Sequence, residues 1–235
     1  MTTCVYDIVI DFEKSKGSYL FDKKSNTFFL DMFSMFSSLP LGYNHEIFDE
    51  AFRDKVAKIS HLKMCNNLFY SDEFEAFKDA MSKISIHKNI HYCSTGALAV
   101  ESALKCAFEV SKRPDSIVVA SNNSFHGINS WGFITDRRIS SVTNRVKNFP
   151  TNNWANLQTD NLPQYIEKNA KDITSCIIEP IQCTAGDIYL DINLLKEIEI
   201  VCKKNNVCFI VDEVQTGFGV TGSYWYSESA DLEPD

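Results

Sequence analysis

The chain has 235 residues, 44% of them hydrophobic and 23% charged, which excludes a disordered, collagen-like or low-complexity protein. A chain of this length can bury a core without disulfide or metal staples, as one large domain or two small ones. Thirty-one acidic residues against 23 basic ones give a net charge of −8, which repels a phosphate backbone and argues against a nucleic-acid partner.

None of the eight cysteines (Cys4, Cys65, Cys93, Cys106, Cys176, Cys183, Cys202, Cys208) forms a C-x-x-C pair, so a zinc ribbon or a thioredoxin-like site is not expected. Cys176 and Cys208 sit inside apolar runs and read as small hydrophobes in a reducing compartment. Met1 to Lys16 shows no signal-peptide pattern, and no apolar run approaches the roughly 18 residues of a membrane span. The expectation is a soluble cytosolic protein with no membrane partner.

The first 45 residues read as an extended segment. Ser18–Asp22 and Thr27–Asp31 flank Lys23–Asn26 and predict a hairpin, and Pro40, Gly42 and Asn44 mark a loop. Residues 46–235 then alternate helix and strand. Phe48, Ala51, Phe52, Val56 and Ile59 fall on one helical face, as do Phe74, Phe77, Met81 and Ile84. Ala97–Ser111 predicts a helix with Val100, Leu104, Ala107 and Phe108 inward, ended before Pro114. Ile117–Ala120, Cys176–Ile178 and Val207–Val211 are continuous apolar runs, the pattern of strands covered on both faces. Leu194, Leu195, Ile198, Val201 and Cys202 mark a helix between the last two strands. The predicted fold is therefore an α/β domain with a mainly parallel sheet, whose ligands bind beyond the carboxyl ends of the strands.

Several features near those ends could carry chemistry. Ser94–Ala97 precedes a helix whose N-terminal N–H groups suit a phosphate; a plain N-cap is the alternative. Phe125 could stack on a flat ring or simply cover the core, and His126 alone reads as a hydrogen-bonded loop histidine. Asp212 closes the most apolar strand, where a buried carboxylate needs a cation or several donors; a protonated ring nitrogen would serve, and so would capping of the next turn. Glu179-Pro180 ends a second strand on the same rim. Gly217–Gly222 satisfies G-x-G-x-x-G, but Asp212–Thr216 separates it from its strand and no clear helix follows, so it reads as a glycine-rich loop. A phosphate cradle, an aromatic face and an acid for a ring nitrogen together match what pyridoxal phosphate needs, besides a lysine for its aldehyde.

Asp212–Gly222 (DEVQTGFGVTG) resembles the signature of class III aminotransferases, pyridoxal 5′-phosphate enzymes of fold type I. Cys176–Gln182 (CIIEPIQ) is similar to their strand ending in Glu-Pro, and Thr95–Lys105 (TGALAVESALK) to their phosphate loop and helix. Gly96–Val100, Phe125–Gly127, Leu41–His45 and the stretch from Asp11 to Ser34 most resemble the lysine 6-aminotransferases of that family.

The resemblance implies a large cofactor-binding domain over 46–235, incomplete at its C-terminal end, in a chain that looks like an N-terminal half. It implies that Gly96 and Ala97 hold the phosphate, Phe125 stacks on the pyridine ring and Asp212, the catalytic aspartate, pairs with the ring nitrogen and keeps it protonated. Gln215 would contact the ring hydroxyl and Glu179 would line the site. The implied reaction moves the ε-amino group of lysine to 2-oxoglutarate in a homodimeric enzyme, with no metal. In the family the lysine that binds the cofactor follows the Asp212 segment, whereas no lysine follows Lys204 here. The stretch alone is therefore expected to be inactive. Ile128 and Thr184 stand where lysine-type members carry an arginine and a glutamate. These departures open two alternatives: another donor, such as ornithine or 4-aminobutyrate, or a non-catalytic truncated paralogue.

Overall fold

The computed structural model describes residues 7–60, 70–129 and 154–235. They fall into two compact units, Met1–Lys88 and Asn89–Asp235. Cys4 and Cys65 lie outside the described residues.

In the first unit a strand, β1 (Ile10–Lys16), precedes the predicted hairpin, in which β2 (Tyr19–Asp22) pairs antiparallel with β3 (Thr27–Leu30). Asp22 shapes the turn by accepting from the Ser25 hydroxyl and from the Ser25 and Lys24 amides, and it also takes the Val9 amide. These donors, the Ser25 hydroxyl foremost, favour the charged form and hold the Asp22 carboxyl well below the usual carboxylate range. β1 turns polar side chains inward: Asp11 and Ser15 are buried while Phe12 is exposed. Ser15 Oγ accepts the Phe21 amide at 2.9 Å, and the Asp11 carboxylate accepts the Glu13 amide at 3.0 Å.

Asp49 and Ser71 cap the helices α1 (Glu50–Ile59) and α2 (Asp72–Ser82) through their side chains. Neither helix has a buried residue. Of the faces predicted for them, Phe52, Val56, Ile59 and Phe77 are exposed, while Phe74, Met81 and Ile84 are half-buried.

The second unit carries the parallel sheet. Its main elements are α3 (Gly96–Ser111), β4 (Ile117–Ser121), β5 (Trp154–Leu157), α4 (Leu162–Asn169), β6 (Ile173–Ile178), β7 (Ile181–Gln182), β8 (Ile188–Tyr189), α5 (Ile192–Asn205), β9 (Cys208–Val211) and α6 (Tyr226–Ala230). The order β5-β4-β6-β9 is parallel throughout, so the α/β class and the parallel sheet are as predicted. Alternate residues of each strand face opposite layers. Val119, Cys176, Ile178 and Phe209 pack with Leu162 and Ile166 of α4 and with Leu195, Ile198 and Cys202 of α5. Val118, Ala120 and Ile177 pack on the other side with Val100 and Leu104 of α3. The inward residues Val100, Leu104 and Ala107 agree with the sequence pattern, while Phe108 is only half-buried.

Local signals explain the boundaries. Thr95 caps α3 by accepting the Leu98 amide, and Asp191 caps α5 by accepting the Asn193 amide. Both helices stop at a left-handed residue, Lys112 and Asn206. Arg113 then donates to the Ala170 and Ile173 carbonyls at 2.8 and 2.9 Å, tying the end of α3 to the start of β6. The six described cysteines are free thiols, with Cys176 and Cys202 buried. No described helix is long and apolar enough to cross a membrane.

Candidate functional site

Chain order and sheet order diverge between β4 and β6, because β5 lies on the outer side of β4. Chains leaving neighbouring strands in opposite directions open a crevice at their carboxyl ends, the usual ligand position in such sheets. The predicted site residues fall there. Phe125 follows β4, Glu179 follows β6 and Asp212 follows β9.

Hydrogen bonds join these strand ends. The Phe125 amide donates to Glu179 Oε1 at 2.6 Å. His126 Nδ1 donates to Asp212 Oδ2 at 2.7 Å, and the Val214 amide donates to Asp212 Oδ1 at 3.0 Å. The His126 and Asp212 side chains are 0% and 5% exposed, so this pair is screened from water. His126 Nε2 is buried without a hydrogen-bond partner among the described residues. His126 Nδ1 is thus committed to the Asp212 carboxylate, which ties the loop after β4 to the end of β9.

Glu179 is buried, and burial pushes its carboxyl up to about 7; Asp212 adds to the rise, while His126 and the Phe125 amide oppose it. Burial also pushes the neighbouring Cys183 thiol up to about 11, helped by Asp187 and Glu179.

The N-terminus of α3 closes the group. A Cβ on Gly127 would stand 2.7 Å from Ala97 Cβ, and one on Gly96 would stand 2.8 Å from Val214 Cγ1. Gly127 also has φ +101°, a conformation that strains other residues. The loops after β4 and β9 therefore both press on the first turn of α3. Thr95 Oγ1 takes the Leu98 amide, and the Gly96 and Ala97 amides have no partner among the described residues. Two free N–H groups at a helix N-terminus fit a phosphate. A buried carboxylate with no lysine or arginine partner among the described residues fits a protonated ring nitrogen. The residues present thus fit pyridoxal 5′-phosphate.

Gln215 lies beyond the strand end, its Nε2 3.4 Å from Thr184 Oγ1. Glu213 is engaged elsewhere and takes the Tyr226 and Ser227 amides at the start of α6. Gly217–Gly222 forms an irregular loop that opens no helix, as expected for a glycine-rich loop. The sequence pattern marks Gln182 only as the end of the Cys176–Gln182 motif and gives it no role; it is buried and donates to Ser121 Oγ at 3.1 Å and the Asn122 carbonyl at 2.7 Å.

The family model for class-III aminotransferases matches residues 2–235. The chain belongs to that family. Class-III aminotransferases are transferases that depend on pyridoxal 5′-phosphate. The chain is 30% identical to the L-lysine-epsilon aminotransferase of Streptomyces clavuligerus, over 98% of its own length and 58% of the relative's. It is 32% identical to the ornithine aminotransferase of Brevibacillus brevis over the same shares of each. A lysine aminotransferase structure from M. tuberculosis superposes with a TM-score of 0.85 at 26% identity, covering 100% of this chain and 62% of that one. This class-III aminotransferase chain therefore spans just over half the length of the curated relatives it matches.

Proposed function

We propose that residues 89–235 form part of the cofactor domain of an aminotransferase that moves the ε-amino group of L-lysine to 2-oxoglutarate. Likeness to the family supports a homodimer in the cytosol for the whole enzyme. Bound pyridoxal 5′-phosphate would supply the electron sink of the reaction. The Gly96 and Ala97 amides would hold its phosphate, and Phe125 would cover one face of its ring. Asp212 would pair with the ring nitrogen and keep it protonated, and Gln215 would reach the ring hydroxyl. His126 holds the Asp212 carboxylate in place. The observation that carries the reading is Asp212, its side chain buried at the end of β9 and paired with His126, with no lysine or arginine partner among the described residues.

A titration of the chain with pyridoxal 5′-phosphate tests it. Asp212→Asn should weaken binding by about tenfold or more, because a charge-assisted bond becomes a neutral one. Equal affinity in the variant would sink the assignment.

Ornithine as donor is a second reading. It is supported by the neutral Thr184 beside Gln215 and by the 32% identity to an ornithine aminotransferase. A donor panel of lysine, ornithine and N-acetylornithine, run on protein purified from its own cells, separates the two.

A further inference from the structure

The Glu179 carboxylate, expected only to line the site, is one of the few charged groups buried in this unit. It stands at the end of β6 and bonds to the backbone, not the side chain, of the residue proposed to cover the ring. The sheet explains why this contact is possible: β4 and β6 are direct neighbours, so the chain leaving β4 passes over the end of β6.

We infer that Glu179 is a positioning residue: by accepting the Phe125 amide across the β4–β6 boundary it fixes where the Phe125 ring stands relative to Asp212, and it grips more tightly when ionised. The inference rests on the reading of Phe125 and Asp212 as the ring site. An ionised acceptor makes a stronger hydrogen bond to an N–H than a neutral one does. Among the described residues, the titratable groups that face Glu179 are His126, Asp212 and Cys183. The Cys183 thiol, pushed up to about 11, stays neutral from pH 6 to 8. Burial places the Glu179 transition itself near 7, within that window.

The test uses the full chain and its Glu179→Gln and Glu179→Leu variants. Hydrogen exchange of the Phe125 amide and the affinity for pyridoxal 5′-phosphate are measured at pH 6 and pH 8, with exchange corrected for its intrinsic pH dependence. The wild type should gain about fivefold in both quantities from pH 6 to 8, the difference between a neutral and a charge-assisted bond. Glu179→Gln keeps an acceptor, so it should retain protection and lose the pH step. Glu179→Leu should lose about tenfold in Phe125 protection, with the β6 amides as a control for folding. Unchanged Phe125 protection in Glu179→Leu, or an undiminished pH step in Glu179→Gln, overturns the inference. A pH step in exchange without any uptake of pyridoxal 5′-phosphate supports the Glu179–Phe125 bond and overturns the reading of Phe125 as a ring stacker.

Discussion

Replacing Glu179 by glutamine should stabilise the chain above neutral pH and cost it about 1 kcal/mol in acid. The Glu179 carboxyl rises from 4.5 to about 7 on folding, with burial as the main cause. A raised carboxyl pKa means that the folded state prefers the proton. The favourable contribution is fully present below pH 4.5 and is lost as pH rises through about 7. The shift corresponds to about 3 kcal/mol across that window. Glutamine carries no charge to desolvate, so the variant avoids the loss. Its carboxamide can still accept the Phe125 amide, while its NH2 group, lacking a partner, costs about 1 kcal/mol at every pH. The pH dependence of the difference is therefore the informative quantity. Denaturant melts at pH 4.5 and pH 8 should show the variant gaining about 3 kcal/mol on the wild type between the two, equivalent to roughly 6–12 °C in melting temperature. A difference that does not change with pH would refute the burial argument.

Two further outcomes follow from the packing. Gly127→Ala places a Cβ 2.7 Å from Ala97 Cβ at φ +101°. It should cost roughly 1–3 kcal/mol by denaturant melt and weaken pyridoxal 5′-phosphate binding, and wild-type stability with full binding would contradict the close approach. Contact with Cys176, together with burial, pushes the Cys202 thiol far up, whereas Cys106 is exposed. At pH 8 a thiol reagent should label Cys106 in the native chain and reach Cys176 and Cys202 only after unfolding, as read by peptide mass spectrometry.

The strands are the most legible part of the fold. Cys176–Ile178 and Val207–Val211 are apolar at consecutive positions because both faces of the sheet are covered, by α3 on one side and by α4 and α5 on the other. The acids that close them, Glu179 and Asp212, stand out against those runs. Strand order is not legible, since periodicity says which face a residue takes and not which strand lies beside it. The bond from the Phe125 amide to Glu179 depends on β4 meeting β6, and the partner of His126 lies 86 residues away. Strand β1 is hidden for a different reason: Asp11 and Ser15 turn inward to satisfy backbone amides, so no apolar alternation marks it. In α1 and α2 the pattern marks the helices correctly without showing what covers their apolar faces.

The bond between His126 and Asp212 also bears on how the protein is made. During synthesis the loop after β4 emerges long before β9, and until residue 212 is available the imidazole has no carboxylate to meet. Closing so long a loop is entropically costly and slow compared with forming α3 or α5. The pair should therefore form later than α3 and α5, once β9 has joined the sheet.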